Sequence, residues 1–485
     1  MKVLFIYPSN KYSNTNTSTY SLPLGLGSIA TYSKQKISEL EIKILDGSIM
    51  SHEEQKEILA NFKPDVTAIS PTICSHENGL KLGEQAKNLN STVFLGGVNS
   101  TNLWYSILKN NEFIDGVFLY DGEEGFFQTL NRISEYRLFG SEVFNAVRNL
   151  AHRDKYNNPT APEHIYIPRI SDIPNIDYSL FDLETHFKKT NSKGFGNAVA
   201  YYAGKGCMKR GKVNLKRNYS FKDYQELIKT MNTCTFCGRN EVGFRTMKEN
   251  REAEIIKELN KKYGVTWFFN VQDTVNLQNK TPIGVEGTYR LFIGLKSVTQ
   301  KNIDTLKNRY GENLIFQVGI ETVSPEMRRV FGKKATDQKD VSEKTELMYK
   351  NNIQLHASFV LGGRGETPKS MKQTLDTAIK ISKYQNTTWI LVSPQLILPG
   401  SPDYNALLQM PLMHNKYYQK DYIDITEISN DFMRYFVPNL TRKEIINTIK
   451  ETFSKINNPN TILDIKGVTA EEEIYIKPRR IYTSV

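Results

Sequence analysis

The sequence predicts an α/β protein made of two tandem α/β domains and a helical extension, and three observations carry that prediction. Short apolar runs at 1–6, 42–45, 66–69, 93–95 and 116–119 each close in a turn rich in Gly, Ser, Pro or Asp, with helix-length segments at 24–36, 53–62 and 79–88 between them. Six more strand-like runs, at 198–202, 266–271, 291–294, 315–320, 355–361 and 389–393, alternate with helical segments such as 252–263 and 340–351. Between the two sets, residues 150–196 lose periodicity and carry Pro159, Pro162, Pro168 and Pro174. Buried parallel strands read as continuous apolar runs, and β/α alternation predicts a parallel sheet covered by helices. The chain therefore divides into a doubly wound, Rossmann-like domain over 1–149, a linker over 150–196, a second β/α domain over 197–404 and a helical extension over 405–485. Ligands of such sheets sit at the carboxyl ends of the strands.

A chain of 485 residues has room for two to four domains. None of its apolar runs approaches the roughly twenty residues that cross a bilayer, so no membrane partner is expected. Four cysteines in so long a chain, with nothing at the N-terminus that looks like a secretory signal, predict a cytoplasmic protein with free thiols. The formal charge of +11 fits either nucleic acid or phosphorylated partners, or a Lys-rich solvated surface. Lys-Lys and Lys-Arg pairs scattered along the chain favour the surface and make nucleic acid the weaker expectation.

Three of the four cysteines fall within 202–239, as Gly206-Cys207 and Cys234-Thr235-Phe236-Cys237-Gly238-Arg239. A CxxC pair puts two thiolates on one tight turn, within reach of one soft metal or cluster, and a third cysteine leaves a fourth position open. Zinc is the alternative, but a structural zinc wants a second CxxC or a His pair, and the nearest histidines are His186 and His356. The 26 residues between Cys207 and Cys234 carry Lys209, Arg210, Lys212, Lys216, Arg217, Lys222 and Lys229 against Asp223 and Glu226, and 221–231 reads as a helix. If all three cysteines serve one centre, the ends of this insert must meet. Closing a loop of that length, rather than one of three residues, costs roughly 2 kcal/mol, which metal ligation offsets. The excursion would then set Lys209, Arg210, Lys216 and Arg217 beside the site entrance and favour an anionic or phosphorylated small-molecule substrate. The alternative is a solvated loop without contact to the site.

Gly-Cys ahead of Cys-x-Phe-Cys resembles the signature of radical S-adenosylmethionine (SAM) enzymes, which usually have three residues between the first two cysteines. The resemblance implies that Cys207, Cys234 and Cys237 hold a [4Fe-4S] cluster whose fourth iron is chelated by SAM. Leu22-Pro23-Leu24-Gly25-Leu26-Gly27, the strand end at Ser70, Gly96-Gly97-Val98-Asn99 and Gly122-Glu123-Glu124 resemble the cobalamin-binding domain that precedes the barrel in one large subclass. Ser70, Gly96, Gly97 and Glu123 would then contact cobalamin. The loop after the first strand contains no histidine, so the resemblance implies cobalamin without a protein imidazole ligand, or a domain that has lost the cofactor. Cys74 and His76, after the third strand, either face the corrin or are ordinary loop residues.

In the same family the second domain is a partial (β/α)6 barrel, and the chain matches its motifs at successive strand ends. Asp273 ends the second strand, where a carboxylate either faces substrate or the SAM amino group or caps the next segment. Gly319-Ile320-Glu321-Thr322 resembles the family's Gly-x-Glu, whose polar side chains approach SAM. Gly362-Gly363-Arg364-Gly365-Glu366-Thr367 resembles its Gly-x-Pro-Gly-Glu-Thr element, with Arg364 in place of the proline, and its glycines would let backbone approach the adenine. Leu398-Pro399-Gly400-Ser401-Pro402 resembles the closing Pro-Gly-Thr-Pro. The resemblance spans about 1–404. It implies a 5′-deoxyadenosyl radical, an electron donor such as flavodoxin or ferredoxin, and cobalamin-dependent methylation of an unactivated carbon. Radical cyclisation or rearrangement without net methylation is one alternative, and a cobalamin-binding module with a vestigial barrel is another.

Overall fold

The computed structural model describes residues 1–10, 21–136, 141–210, 216–231, 233–239, 241–334, 336–437 and 439–465. Strands β1 (Lys2–Tyr7), β2 (Glu41–Asp46), β3 (Val66–Ile69), β4 (Thr92–Leu95) and β5 (Gly116–Phe118) form a parallel sheet in the order β2-β1-β3-β4-β5. Val3, Leu4, Phe5 and Ile6 are wholly buried at its centre, because helices cover both faces and no side of the strand meets water. This order reverses direction between β1 and β3, and the crevice outside that switch point is where such sheets take ligands. The sheet does not stop at residue 149. β6 (Leu150–Arg153) and β7 (Pro159–Thr160) add to it antiparallel, so the first part of the expected linker belongs to the first domain.

The second sheet is parallel throughout: β9 (Ala198–Tyr201), β13 (Trp267–Asn270), β14 (Thr288–Phe292), β15 (Leu314–Glu321), β16 (Gln354–Leu361), β17 (Thr387–Pro394) and β18 (Ile462–Ile465), adjacent in that order. The six expected strands are there, and the extension supplies a seventh. The extension carries the expected helices, Ile425–Phe436 and Arg442–Ser454, and these lead into β18. Helices between the strands begin where the sequence supplies caps, as at Asp337, Thr367 and Thr441, each of which closes a capping box. Two small ribbons complete the fold: β8 (His164–Tyr166) with β11 (Asn218–Ser220), and β10 (Gly204–Gly206) with β12 (Phe244–Thr246).

The extension also reaches the first domain. Ser106 Oγ donates to Tyr418 O at 3.1 Å, Asn110 Nδ2 to Gln419 O at 2.9 Å and Asn111 Nδ2 to Asp421 Oδ2 at 2.6 Å. His76 is buried beneath it, with its ring against Tyr422 and Nδ1 2.9 Å from Asn99 Nδ2. The Cys74 thiol, half-buried nearby, is pushed up by burial and by Asp424. Both residues therefore lie near the extension. Among the described residues no helix is long and apolar enough to cross a membrane.

Candidate active site

The site begins where β9 runs out. Residues 204–206 turn into a tight antiparallel ladder with β12, in which Gly206 pairs with Phe244 and Cys207 N donates to Gly243 O at 3.1 Å. Gly206 has φ +86°, and a Cβ there would lie 2.1 Å from Gly243 O, so no other residue fits. The ladder clamps both sides of the segment that holds the insert and the CxxC pair. Directly after Cys207, Lys209 Nζ lies 3.3 Å from Cys234 Sγ, and the Arg210 guanidinium lies 3.9 Å from Cys237 Sγ. Arg210 also donates to the carbonyls of Glu241 and Arg239, and Cys237 N donates to Cys234 O at 3.0 Å to close the turn. The ends of the 26-residue insert thus meet, as a shared centre requires.

All three thiols are free and half-buried. Among the described residues no three His, Cys, Asp or Glu side chains are placed to hold a single metal ion. The cationic surroundings of the cysteines would complement the charge of thiolate ligands. Besides Lys209 and Arg210, Lys333 Nζ sits 5.8 Å from the centroid of the Phe236 ring and pairs with Glu321 Oε1 at 2.9 Å.

Glu321 ends β15 through a bulge, with φ +63°, and a Cβ on Gly319 would fall 2.5 Å from its Oε1. Gly319 therefore makes room for that carboxylate. At the end of β16, Gly362 has φ +85°, and a Cβ on Gly363 would come within 2.4 Å of the Phe331 ring. Phe331 in turn packs edge-on against Phe236 of the CxxC turn, 5.3 Å between centroids. A side chain at Gly363 would thus run into Phe331. Glu366 is buried and pushed up to about 7 by that burial, against hydrogen bonds from Ser370 Oγ and Gly362 N. Arg364, which stands where the family has proline, makes an ion pair with Asp403, whose N donates to Thr235 O inside the CxxC turn at 3.0 Å.

Between the carboxyl ends of the two sheets lies a cavity of about 280 Å³, or about 1050 Å³ of empty space with its mouth. Gly25, Ser28, Gly97 and Thr101 line it from the first domain, and Tyr202, Lys205, Arg239, Gln272 and Asp273 from the second. The insert closes it, since its Tyr224 lies in the wall and packs on Tyr120 at 4.5 Å between centroids. Asp273 pairs with Arg239 Nε at 3.1 Å and is pushed up to about 6 by burial, against the pull of Arg239. It caps no described helix. Ser70 faces Gly97, whose φ is +85° and whose missing Cβ would lie 2.7 Å from Ser70 Oγ, and Gly96 N donates to Ile69 O. Glu123 stands behind this lining, 2% exposed, and accepts from Ser28 Oγ at 2.7 Å and Lys205 Nζ at 2.9 Å. Lys205 also binds Asp121 at 2.6 Å, so a buried ion-pair cluster joins the domains two residues before Cys207. Sequence reasoning missed Lys205, although its place between two glycines ahead of the first cysteine was a signal. It missed Asp403, Tyr120 and Tyr224 as well, for which no local pattern exists.

A doubly wound domain followed by a parallel half-barrel is a fold that this chain shares with solved cobalamin-dependent SAM radical enzymes. The structure is similar to the radical SAM methyltransferase TsrM from Kitasatospora setae, solved with tryptophan substrate and a SAM analogue, at a TM-score of 0.61, with 13% identity over 84% of this chain and 76% of that one. It is similar also to the cobalamin-dependent SAM radical enzyme OxsB, solved with aqua-cobalamin and SAM, at a TM-score of 0.61 and 13% identity over 86% of this chain and 61% of that one. In sequence the chain is 22% identical to an uncharacterized methyltransferase of Pyrococcus horikoshii over 398 residues, 79% of this chain and 78% of that protein. It is 21% identical over 406 residues to an anaerobic magnesium-protoporphyrin IX monomethyl ester cyclase of Rubrivivax gelatinosus, 78% of this chain and 65% of that protein. The chain thus spans less than two thirds of the cyclase and of OxsB. No family model matches it.

Proposed function

We propose that this chain is a cobalamin-dependent radical SAM methyltransferase acting on a small molecule, with Cys207, Cys234 and Cys237 holding a [4Fe-4S] cluster. The observation that carries the reading is the contact of Lys209 with Cys234 and of Arg210 with Cys237, which brings the residues after the first cysteine onto the other two despite the insert. The cobalamin crevice fits on the same standard. Open space faces Gly25, and Gly97 lines the same cavity.

When bound, the three groups supply radical hydrogen abstraction and a methyl donor. The chain's share is positioning, charge and exclusion of water. Lys209, Arg210 and Lys333 balance thiolate charge, and Glu321 and Glu366, buried at the ends of β15 and β16, would support the SAM side. Ser70, Gly96 and Gly97 shape the cobalamin side, with Glu123 supporting it through Ser28 and Lys205. Asp273, with a carboxyl that titrates at about 6, can accept a proton at its oxygen next to Arg239, and Arg239 offers a charge to an anionic substrate. Tyr120, Tyr202 and Tyr224 wall off solvent. The likeness to the cyclase favours radical cyclisation as the second reading.

Anaerobically reconstituted protein incubated with cobalamin and methyl-labelled SAM tests the proposal. Label is expected on the extracted cobalamin, and then on substrate, whose mass rises by one methyl group. A product without net methyl would favour cyclisation, and unlabelled cobalamin would refute methyl transfer.

A further inference from the structure

A second cavity of about 690 Å³ shares no lining residue with the first. It lies between the segment 167–175, the start of β11, β12 and the first turn of the helix Glu249–Tyr263. Six cations line it: Arg169, Lys216, Arg217, Arg245, Lys248 and Arg251. Against them stand Glu254 in the wall and Asp172, which pairs with Arg217 at 2.8 Å. Like charges around one hollow repel each other, and a bound anion would relieve that repulsion.

The cations are of two kinds. Arg251 is held by Asn175 Oδ1 and the carbonyls of Ile170 and Ile173, and so fixes the shape of the wall. Arg169, Lys216 and Lys248 are exposed, and none of the three is in an ion pair with a described residue. Arg245 is fixed like Arg251: its side chain is 10% exposed, and its terminal nitrogens go to Pro168 O at 3.1 Å and Asp121 at 2.9 Å.

We infer that this cavity is a second binding site, for a polyphosphate-bearing small molecule of up to nucleotide size. The volume lies within the roughly 300–1,000 Å³ of ligand sites, and the charge calls for a ligand with several negative charges, not a single carboxylate. Because Arg245 also holds Asp121, whose other partner is Lys205, the site abuts the joint between the domains. The inference goes beyond the proposed reaction and does not depend on it.

The test is calorimetric titration of the full chain, without cluster or SAM, with inorganic tripolyphosphate at about 0.15 M salt, where screening suppresses diffuse surface contacts. Tripolyphosphate has no adenosine and so does not report on a SAM site. Saturable one-to-one binding is expected. The double variant Arg169→Glu/Lys248→Glu should weaken it tenfold or more, while Lys339→Glu/Lys372→Glu, with the same change in net charge on distant exposed helices, should leave it within twofold. Circular dichroism of each variant checks that it is folded, and Lys216→Ala supplies a milder substitution should the double variant fail. Equal loss in both double variants, no saturation, or tight binding of a short single-stranded RNA with none of tripolyphosphate would each overturn the inference.

Discussion

Lys205 shows how much one side chain does at the residue scale. It is held between Gly204 and Gly206 and donates to Asp121 and Glu123 across the domain boundary. Lys205→Met would leave both carboxylates buried and short of a cation, and removing one partner of such a cluster costs about 3–5 kcal/mol. Chemical denaturation should register that loss. Asp121 sets the acid side. Burial alone would push it up, but Arg245 and Lys205 outweigh that and hold its carboxyl at about 2, below the ordinary 3.8. Its stabilising contribution is complete above about pH 4 and falls away as the pH drops toward 2. Asp121→Asn should therefore lose stability at neutral pH and show a shallower decline between pH 4 and 2 than the unaltered chain. None of this was legible in the sequence, because Asp121 and Lys205 lie 84 positions apart and a pair at that separation leaves no periodic trace. What was legible at this scale was chemistry concentrated at strand ends: the cysteines, Asp273 and Glu321 all fall on the carboxyl edge of the second sheet.

At the scale of elements, the insert lies between the first two cysteines. Its helical half was readable from periodicity and spans Phe221–Thr230. Its docking was not, since a helical stripe names no partner. Phe221 packs edge-on against Trp104 at 6.1 Å, and Gln225 donates to the Tyr120 hydroxyl at 2.6 Å, so the helix rests on the first domain. β11 meanwhile stitches the insert to β8. The reading of a solvated loop free of the site does not survive these contacts. The element that holds the arrangement together is the three-residue ladder of β10 and β12. Gly206→Ala would put a methyl group into Gly243 O and force φ out of the left-handed region, and the ladder must open to relieve it. Iron retained per chain after reconstitution should fall several-fold while far-ultraviolet circular dichroism stays near that of the unaltered protein. A Gly206→Ala protein that kept full iron would show that Cys207 does not depend on the ladder.

For the whole molecule, the parallel strands of the two sheets were readable because they are buried on both faces, which turns them into unbroken apolar runs. The seventh strand, Ile462–Ile465, was not, because it is short and follows a helical stretch that dominates the local pattern. The same holds for the closure of the extension over His76 and Asn111, which depends on single polar contacts. The consequence is a molecule whose domains are locked face to face by Lys205, Arg245, the insert and the extension, with the cavity between their strand ends. The proposed function rests on a redox cluster at the three cysteines. Electron paramagnetic resonance of the anaerobically reconstituted, reduced protein tests this most directly, alongside iron and sulfide analysis. The account predicts about four irons per chain and a reduced-cluster signal that changes on addition of SAM, with both lost in Cys234→Ala and Cys237→Ala and the iron content reduced in Cys207→Ala. A full complement of iron in the Cys234→Ala/Cys237→Ala double variant, or a cluster signal that SAM leaves unchanged, would contradict it.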